Sequence, residues 1–414
     1  MWKKQLLFML LNLYNNWLNS YRGIPPTIWF LALVTLINRC GAMVISFITL
    51  YLTQQLHFSI AQAGYIMGFF GAGAMAGAYI GGRLTDKAGF RPVMFWSLIL
   101  NGLILILLLQ VRGFWPMCAA VFAMSVASEI FRPANSVAIS QNTTPENRTR
   151  SISLYRMSAN MGWTVAPALG GLLATLGWGW LFWVDGLTCV GAALMLQRLP
   201  ALKTPVPEKK EENAAEQVRQ PARVSPFRDR SFMWFIILTM LNAVVFMQIM
   251  WTVPVFFKEG YHWTEAQIGL MMALNGLFVF VVEMPLIYRI EGRKSPIVYI
   301  RLGLVMYVLA HLSFIAPGAA VAAAIAYMIF ISLGEIFVMP FSSNYVMGRS
   351  PEGQLGQYMG IYTMAYSCSN ILAPLLGTQI IAAWGYTALW SLAAALAALV
   401  WAGFWLLERR GHYA

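Results

Sequence analysis

Charged side chains are scarce in this sequence. Only 11% of its 414 residues are charged, whereas 59% are hydrophobic. Soluble domains carry roughly 25% charged residues, so the chain lacks the solvated surface that a water-soluble protein of this size needs. The shortage excludes a soluble globule and indicates that lipid surrounds most of the chain.

Cysteines and catalytic motifs are scarce as well. Single cysteines stand in apolar segments without any C-x-x-C pair, at Cys40, Cys118, Cys189 and Cys368. This spacing is typical of small buried side chains and not of a metal site. The sequence also shows no phosphate-binding loop for ATP, no pair of metal ligands and no nucleophile–base motif. We therefore expect no cofactor, no bound metal and no enzymatic activity.

Long apolar runs are abundant. About 20 helical residues cross the hydrocarbon core of a bilayer, and runs of that length recur through the chain. They predict an all-α membrane protein with twelve transmembrane helices in two pseudo-symmetric six-helix bundles. The predicted spans are residues 26–53, 61–83, 92–111, 115–137, 151–174, 178–197, 231–256, 265–288, 297–315, 318–340, 355–382 and 386–407.

The net charge of +12 is distributed unequally across this predicted topology. The loops on one side hold nearly all lysines and arginines, and the opposite loops keep only Arg112 and Lys258. Basic loops face the cytoplasm, so both termini are predicted to lie in the cytoplasm of a bacterium, with the protein in its inner membrane. Topology then accounts for the charge, and nucleic acid is not expected as a partner. Residues 5–20 are predicted to form an amphipathic helix on the inner membrane surface.

The two halves of the sequence repeat one another. HFSIAQAGYIMGFFG begins at His57, and HWTEAQIGLMMALNG begins at His262. Two further matches follow in the same order: SEIFRPANS from Ser128 with GEIFVMPFSSN from Gly334, and Tyr155, Pro167 and Gly170 with Tyr362, Pro374 and Gly377. The repeat predicts bundles over residues 1–198 and 231–414, joined by a cytoplasmic linker at 199–230. Parallel repeats of this kind leave a cleft at their interface.

The loop GGRLTDKAGFRP, residues 81–92, carries a specific signature. It resembles the loop between the second and third spans of the major facilitator superfamily, and the matching residues are Gly82, Leu84, Asp86, Lys87, Gly89 and Arg91; Thr85 and Phe90 depart from the pattern. The resemblance implies transport by alternating access, with this loop latching the halves in the outward-open state. RIEGRKSP at 289–296 is a degenerate copy, in which Glu291 stands at the position of Asp86.

The fifth predicted span contains GWTVAPALGG, residues 162–171. It is similar to the motif of drug/proton antiporters in the same superfamily, through Gly162, Pro167, Gly170 and Gly171, whereas Ala166 replaces a glycine. Small residues allow close helix packing, and the proline bends the helix. The resemblance implies export, more weakly than the loop implies the fold.

Acidic residues within spans are the candidates for proton coupling. A charge at mid-membrane costs about 2.5–3.5 kcal/mol on insertion scales, so such residues are functional or paired. Glu283 has no partner nearby in sequence, which favours proton coupling and leaves open a hydrogen-bonded structural role. Glu129 and its repeat partner Glu335 are the other candidates, although Glu129 could form a structural ion pair with Arg132. Arg156, near the start of its span, is expected to extend toward the membrane surface.

By the same resemblance, spans one, four, seven and ten line the substrate cavity. The residues expected to face it or lie near it are Arg39, Arg132, Asn38, Tyr155, Asn160, Trp251 and Tyr362. The sequence predicts a monomer that binds a small-molecule substrate, protons and the lipid bilayer.

Two functions remain open from the sequence. The first is proton-coupled export of amphipathic small molecules, as in multidrug efflux. The alternative is proton-coupled uptake of a peptide-like or anionic solute, in which Arg39 and Arg132 would hold a carboxylate. A sensor without transport activity, or a lipid scramblase, is disfavoured because the latch loop is largely intact.

Overall fold

The computed structural model describes residues 19–198, 225–315 and 320–411. Within these ranges the chain forms helices and contains no β-strand, so the predicted all-α fold is confirmed for them. Residues 5–18 of the predicted amphipathic segment and residues 199–224 of the predicted linker lie outside the described ranges.

The described residues form thirteen α-helices. In chain order they are α1 (Pro26–Gly41), α2 (Met43–Leu50), α3 (Ile60–Ala88), α4 (Phe90–Leu108), α5 (Phe114–Gln141), α6 (Arg148–Leu176), α7 (Trp178–Gln197), α8 (Arg230–Trp251), α9 (Val253–Glu259), α10 (Glu265–Ile290), α11 (Pro296–Ser313), α12 (Ala320–Arg349) and α13 (Leu355–Gly411). A π-helical turn, Tyr51–Gln55, extends α2. The long α13 is interrupted at Gly385, whose φ of 79° and ψ of 178° are not helical.

Ten stretches of the described residues are long and apolar enough to cross a membrane. Two differences separate this number from the twelve predicted spans. The helix α6 is not among the ten, because its polar and small residues, including Asn160 and the glycines of residues 162–171, keep its mean hydropathy low even beyond Arg148, Arg150 and Arg156. The stretch Leu355–Arg409 is continuous and covers both predicted spans 355–382 and 386–407.

The two copies of the repeated motif begin in the same way. Ser59 accepts a hydrogen bond from the backbone of Gln62 at the start of α3, and Thr264 accepts one from Gln267 at the start of α10, each in a complete capping box. His57 and His262 precede these caps, with positive φ angles of 57° and 56°. A left-handed backbone is unusual for a non-glycine residue. The shared S/T-x-x-Q spacing therefore specifies the same helix start twice.

The helices pack in two groups. Among α1–α7 the main contacts are α1 with α6 and α7, α3 with α5, and α4 with α5 and α7. Among α8–α13 they are α8 with α13, α10 with α12, and α11 with α12 and α13. The two groups meet mainly where α3 and α5 pack on α13 and where α6 packs on α10 and α12. Many large apolar side chains are exposed on the outside, including Trp115 and Leu399, as expected of a surface that faces lipid.

Candidate functional site

A buried cluster of charges joins the two groups of helices. Arg156 on α6 places Nη2 at 2.6 Å from Oε1 of Glu335 on α12, and Nη1 at 3.8 Å from Oε1 of Glu283 on α10. The two glutamates are only 2% and 6% exposed, respectively for Glu283 and Glu335. We call these three residues the charge triad. The expectation that Arg156 extends to the membrane surface is wrong, because two carboxylates of the other group hold its guanidinium inside.

The charge triad holds one positive and two negative charges when it is fully ionised. One proton on either glutamate makes the triad electrically neutral, which lowers the cost of burying it. Glu283 is the less firmly held acid, because it lies 3.8 Å from the Arg156 guanidinium without a hydrogen bond to it, and the Ser153 hydroxyl is the other polar group within its range. Glu335, in contrast, accepts a charge-assisted hydrogen bond from Arg156.

Polar and aromatic side chains surround the triad. The hydroxyl groups of Tyr362 and Tyr366, both on α13, lie 3.5 Å apart, and their side chains are within electrostatic range of Arg156. Asn160 on α6 is within hydrogen-bonding range of Glu335. The structure thus brings four of the sequence-predicted site residues together: Glu283, Glu335, Asn160 and Tyr362. Arg156 completes this site, and the sequence interpretation missed it.

A second polar cluster lies within α1–α7. Glu129 and Arg132 form the predicted pair on α5, with Oε2 and Nε 3.4 Å apart. Arg39 on α1 and Tyr155 on α6 lie within electrostatic range of this pair. Four of the predicted cavity residues thus lie in this cluster with Glu129: Arg39, Arg132, Tyr155 and, next to Arg39 in the sequence, Asn38. Trp251 takes part in no ion pair or hydrogen bond described for either cluster.

The predicted latch loop contacts the other group of helices. Asp86, in the last turn of α3, accepts hydrogen bonds from the backbone N–H groups of Gly356 at 2.6 Å and Gln357 at 2.8 Å. These donors belong to the first turn of α13, where helix N–H groups lack internal partners and the helix dipole favours an anion. A Cβ on Gly82 would overlap the Gly356 carbonyl oxygen, so glycine allows the two backbones to meet.

The remaining loop residues stay within the first group. Gly89 has a φ of 83° between α3 and α4, a conformation that glycine adopts without strain. Arg91 donates from Nη2 to the Gln197 carbonyl at the end of α7. Lys87 is exposed and has no described contact that would give it a role in the latch.

The degenerate copy of the loop makes the equivalent contact. Glu291 at the end of α10 accepts hydrogen bonds from the backbone N–H groups of Thr149 at 2.7 Å and Arg150 at 3.3 Å, in the first turn of α6. It also accepts one from Nε of Arg150 at 2.7 Å. Each group of helices therefore offers one carboxylate to the N-terminus of a helix of the other group.

Both contacts lie at the same end of the bundle. We call it the basic end, because exposed arginines and lysines of the end of α3 and of the α10–α11 loop surround it: Arg83, Lys87, Arg293 and Lys294. Toward the opposite end, the same four helices expose apolar side chains: Tyr65 on α3, Leu172 on α6, Leu270 on α10 and Leu375 on α13. The contacts of Asp86 and Glu291 thus close the bundle at its basic end.

The antiporter-like motif packs α6 against the first span. A Cβ on Gly162 would overlap the side chain of Arg39, and one on Gly170 would come within 2.8 Å of Phe47. Gly171 is less constrained, since its nearest neighbour there is 3.8 Å away. Pro167 lies inside the helix. The small residues therefore allow the close approach of α6 to α1 and α2, as predicted.

The contacts of Asp86 lead to a prediction. An asparagine oxygen accepts fewer hydrogen bonds and carries no charge, so Asp86→Asn is expected to weaken closure of the basic end by about 1–2 kcal/mol, or roughly tenfold in population. The measurement is a distance distribution between spin labels at Ala88→Cys and Glu352→Cys, across the α3–α13 contact. We expect a longer distance to gain population in the variant.

The matched control is Glu146→Gln, which removes an exposed loop carboxylate of the same group of helices and is expected to leave the distances unchanged. Cys40 and Cys368 are partly exposed and would react with the spin label, so both are replaced with serine in every sample. An Asp86→Asn protein with the parental distance distribution would show that Asp86 does not hold the basic end closed.

The comparison with known families identifies the class. The family model described as Major Facilitator Superfamily matches residues 31–372, so the chain belongs to the Major Facilitator Superfamily. The resemblance inferred from the loop at residues 81–92 is confirmed. The family and the fold are those of membrane transporters, which act on small-molecule substrates in a lipid bilayer.

The names of the similar proteins refer to different kinds of transport. The chain is 22% identical over 373 residues to the uncharacterized MFS-type transporter YqjV of Bacillus subtilis, covering 87% of both chains. It is 24% identical over 260 residues to the multidrug resistance protein MdtH of Aeromonas hydrophila, covering 62% of this chain and 63% of MdtH. Among solved structures, the human organic anion transporter MFSD10 has a TM-score of 0.73 at 17% identity. The similarity covers 92% of this chain and 100% of the MFSD10 chain.

Proposed function

We propose that the protein is a proton-coupled secondary transporter of amphipathic small molecules, working by alternating access as a monomer in a bacterial inner membrane. The single observation that carries the proposal is the charge triad: one buried arginine of the first group shared by two buried glutamates of the second. Twelve segments would cross the bilayer, with α6 as the fifth and α13 divided at Gly385 into the last two. The bundles would be residues 1–198 and 231–414, with 199–230 as a cytoplasmic linker.

The position of the triad relates proton binding to movement. Arg156 and the two glutamates belong to helices of different groups, so any rocking of one group against the other changes the distances between them. A proton on Glu283 removes its attraction to Arg156. Protonation therefore changes the energy of closing the two groups together, which is the linkage that coupled transport requires.

Export is the direction that we favour. The motif Gly162–Gly171 on α6 resembles that of drug/proton antiporters, and its glycines allow the close packing on α1 that such a motif would require. The name of the relative MdtH is consistent with multidrug efflux. The basic end would be cytoplasmic, so the closure through Asp86 and Glu291 would describe an outward-open arrangement.

One observation supports a second candidate function, the uptake of a peptide-like or anionic solute with protons. Arg39 is only 5% exposed, and no carboxylate of the described residues lies within 4.0 Å of its guanidinium. A buried guanidinium without a direct partner suits a transported carboxylate.

Proton movement in inside-out vesicles tests the proposal and its direction. Vesicles without a pre-formed gradient receive either ethidium or 3-phenylpropionate, and a pH-sensitive dye reports the lumen. An exporter that exchanges ethidium for protons would make the lumen more alkaline, whereas a symporter of the anion would acidify it. Vesicles with the Glu283→Gln protein serve as the control. Uptake of a solute with no pH change in either case would contradict proton coupling.

A further inference from the structure

The first span is broken near its middle. The helix α1 ends at Gly41, Ala42 has a non-helical ψ of 52°, and α2 begins at Met43, within the span Pro26–Gln55. A break of this kind leaves backbone groups without helical partners. One of them is satisfied from another helix, because the N–H of Val44 donates to Oδ2 of Asp185 on α7 at 3.2 Å.

A small polar cavity lies beside the break. Its volume is about 30 Å³, and its polar lining consists of Asn38, Arg39, Asn101, Ser128 and Asp185. A single water needs roughly 10–15 Å³ on this measure, so the cavity admits two oxygen atoms side by side, the size of one carboxylate group. Ala42, Ile45 and Ser128 at its margin are partly exposed, which gives a small group a way in.

Arg39 is the only cationic side chain among the residues that line this cavity. Its guanidinium lies over the ring of Trp163, 5.7 Å from the centroid. Asn38 and Asn101 each direct one N–H of Nδ2 at Sγ of Cys189, at 3.3 Å and 3.4 Å. Besides the remaining amide N–H groups and the Ser128 hydroxyl, the Arg39 guanidinium is the positively charged donor that the lining offers to a ligand.

We propose that this cavity is a carboxylate subsite, in which Arg39 binds the anionic group of the substrate and Trp163 offers a flat surface to an adjoining aromatic ring. The inference rests on the proposed transport of small amphipathic molecules and names their class: organic anions with a carboxylate next to an aromatic or apolar body. A guanidinium binds a carboxylate through two parallel hydrogen bonds, and burial strengthens the attraction.

Asp185 has the opposite effect on such a ligand. It lines the same cavity, is 4% exposed, and in its ionised form has the same charge as the bound carboxylate. The other charged groups nearby, Glu129 and Arg132 on α5, form a pair of their own. A carboxylate at position 185 opposes anion binding when it is ionised, so Asp185→Asn should strengthen anion binding, whereas removing the charge of Arg39 should weaken it.

Equilibrium binding of 3-phenylpropionate to the purified full-length protein in detergent tests the subsite, with its uncharged amide, 3-phenylpropionamide, as the second probe. We expect the acid to bind more tightly than the amide. Arg39→Gln should weaken acid binding about ten- to hundredfold and weaken amide binding much less, because the amide carries no charge. Asp185→Asn should strengthen acid binding several-fold. The matched control is Arg301→Gln. Arg301 lies on α11, pairs with Glu408 and does not line the cavity, so this variant should bind both probes as the parent protein does.

The two variants are expected to change the affinity for the acid in opposite directions, so the test remains decisive when one variant folds poorly. Equal binding of acid and amide by the parent protein would overturn the proposal, and so would an Asp185→Asn protein that binds the acid less tightly. Because the assay measures binding without a gradient, it is independent of proton coupling, which the vesicle assay measures separately.

Discussion

Replacing Glu283 with glutamine is expected to abolish transport against a gradient while leaving substrate binding close to that of the parent protein. Glutamine keeps the size of the side chain but carries no charge and cannot exchange a proton. A pH difference of one unit can support about tenfold accumulation for each coupled proton. Without the exchangeable proton, the substrate should only equilibrate, so the accumulation ratio in proteoliposomes should fall to about one.

The comparison with Glu335→Gln makes this expectation more specific. Glu335 accepts a hydrogen bond from Arg156 at 2.6 Å, whereas Glu283 lies 3.8 Å from the same guanidinium. We therefore expect Glu283→Gln to abolish the pH dependence of transport, and Glu335→Gln to reduce the stability of the protein as well. If Glu283→Gln still accumulates substrate with the parental pH dependence, Glu283 has a structural role and the coupling acid must be sought at Glu335 or Glu129.

Replacing Arg156 with glutamine is expected to be the most destabilising substitution in the charge triad. It would leave two carboxylates buried close together without a cation, and removing one partner of a buried ion pair typically costs about 3–5 kcal/mol. We expect a large fall in the thermal unfolding temperature of the detergent-solubilised protein. The loss should be smaller at acidic pH, where a proton can replace the missing positive charge.

A double substitution separates charge from packing. In a Glu283→Gln, Glu335→Gln background, the further change Arg156→Gln should cost much less than it does alone, because no carboxylate remains to be compensated. Arg301→Gln provides a control, since its partner Glu408 is 21% exposed and can be solvated. Equal costs in the two backgrounds would mean that Arg156 stabilises the protein through packing alone.

The sequence predicted the contacts that depend on local motifs. The loop around Asp86 has a fixed pattern of glycines and charges, and the repeat transfers its role to Glu291. Both carboxylates were found on the N-termini of helices in the other group. These contacts could be anticipated because an acid at the end of one helix and the unsatisfied N–H groups at the start of another are both visible in a sequence.

Arg156 could not be assigned in the same way. Its partners Glu283 and Glu335 lie 127 and 179 positions away in the sequence, and its repeat equivalent is the uncharged Thr363. Its position near the start of the predicted span 151–174 suggested that its side chain could reach water at the membrane surface. One signal was available: three ionisable residues of mixed sign at comparable depths in the fifth, eighth and tenth predicted spans, which together can satisfy one another.

The paired contacts of Asp86 and Glu291 amount to a bivalent attachment between the two halves. When the hydrogen bonds between one carboxylate and its partner helix break, the other carboxylate still holds the two halves together. The separated carboxylate and helix N-terminus then remain near each other at a high effective concentration. Thermal loss of a single contact is therefore followed by re-formation far more often than by separation. The closed end owes its persistence to this avidity, and a transporter that retained only one of the two carboxylates would open by a single rupture.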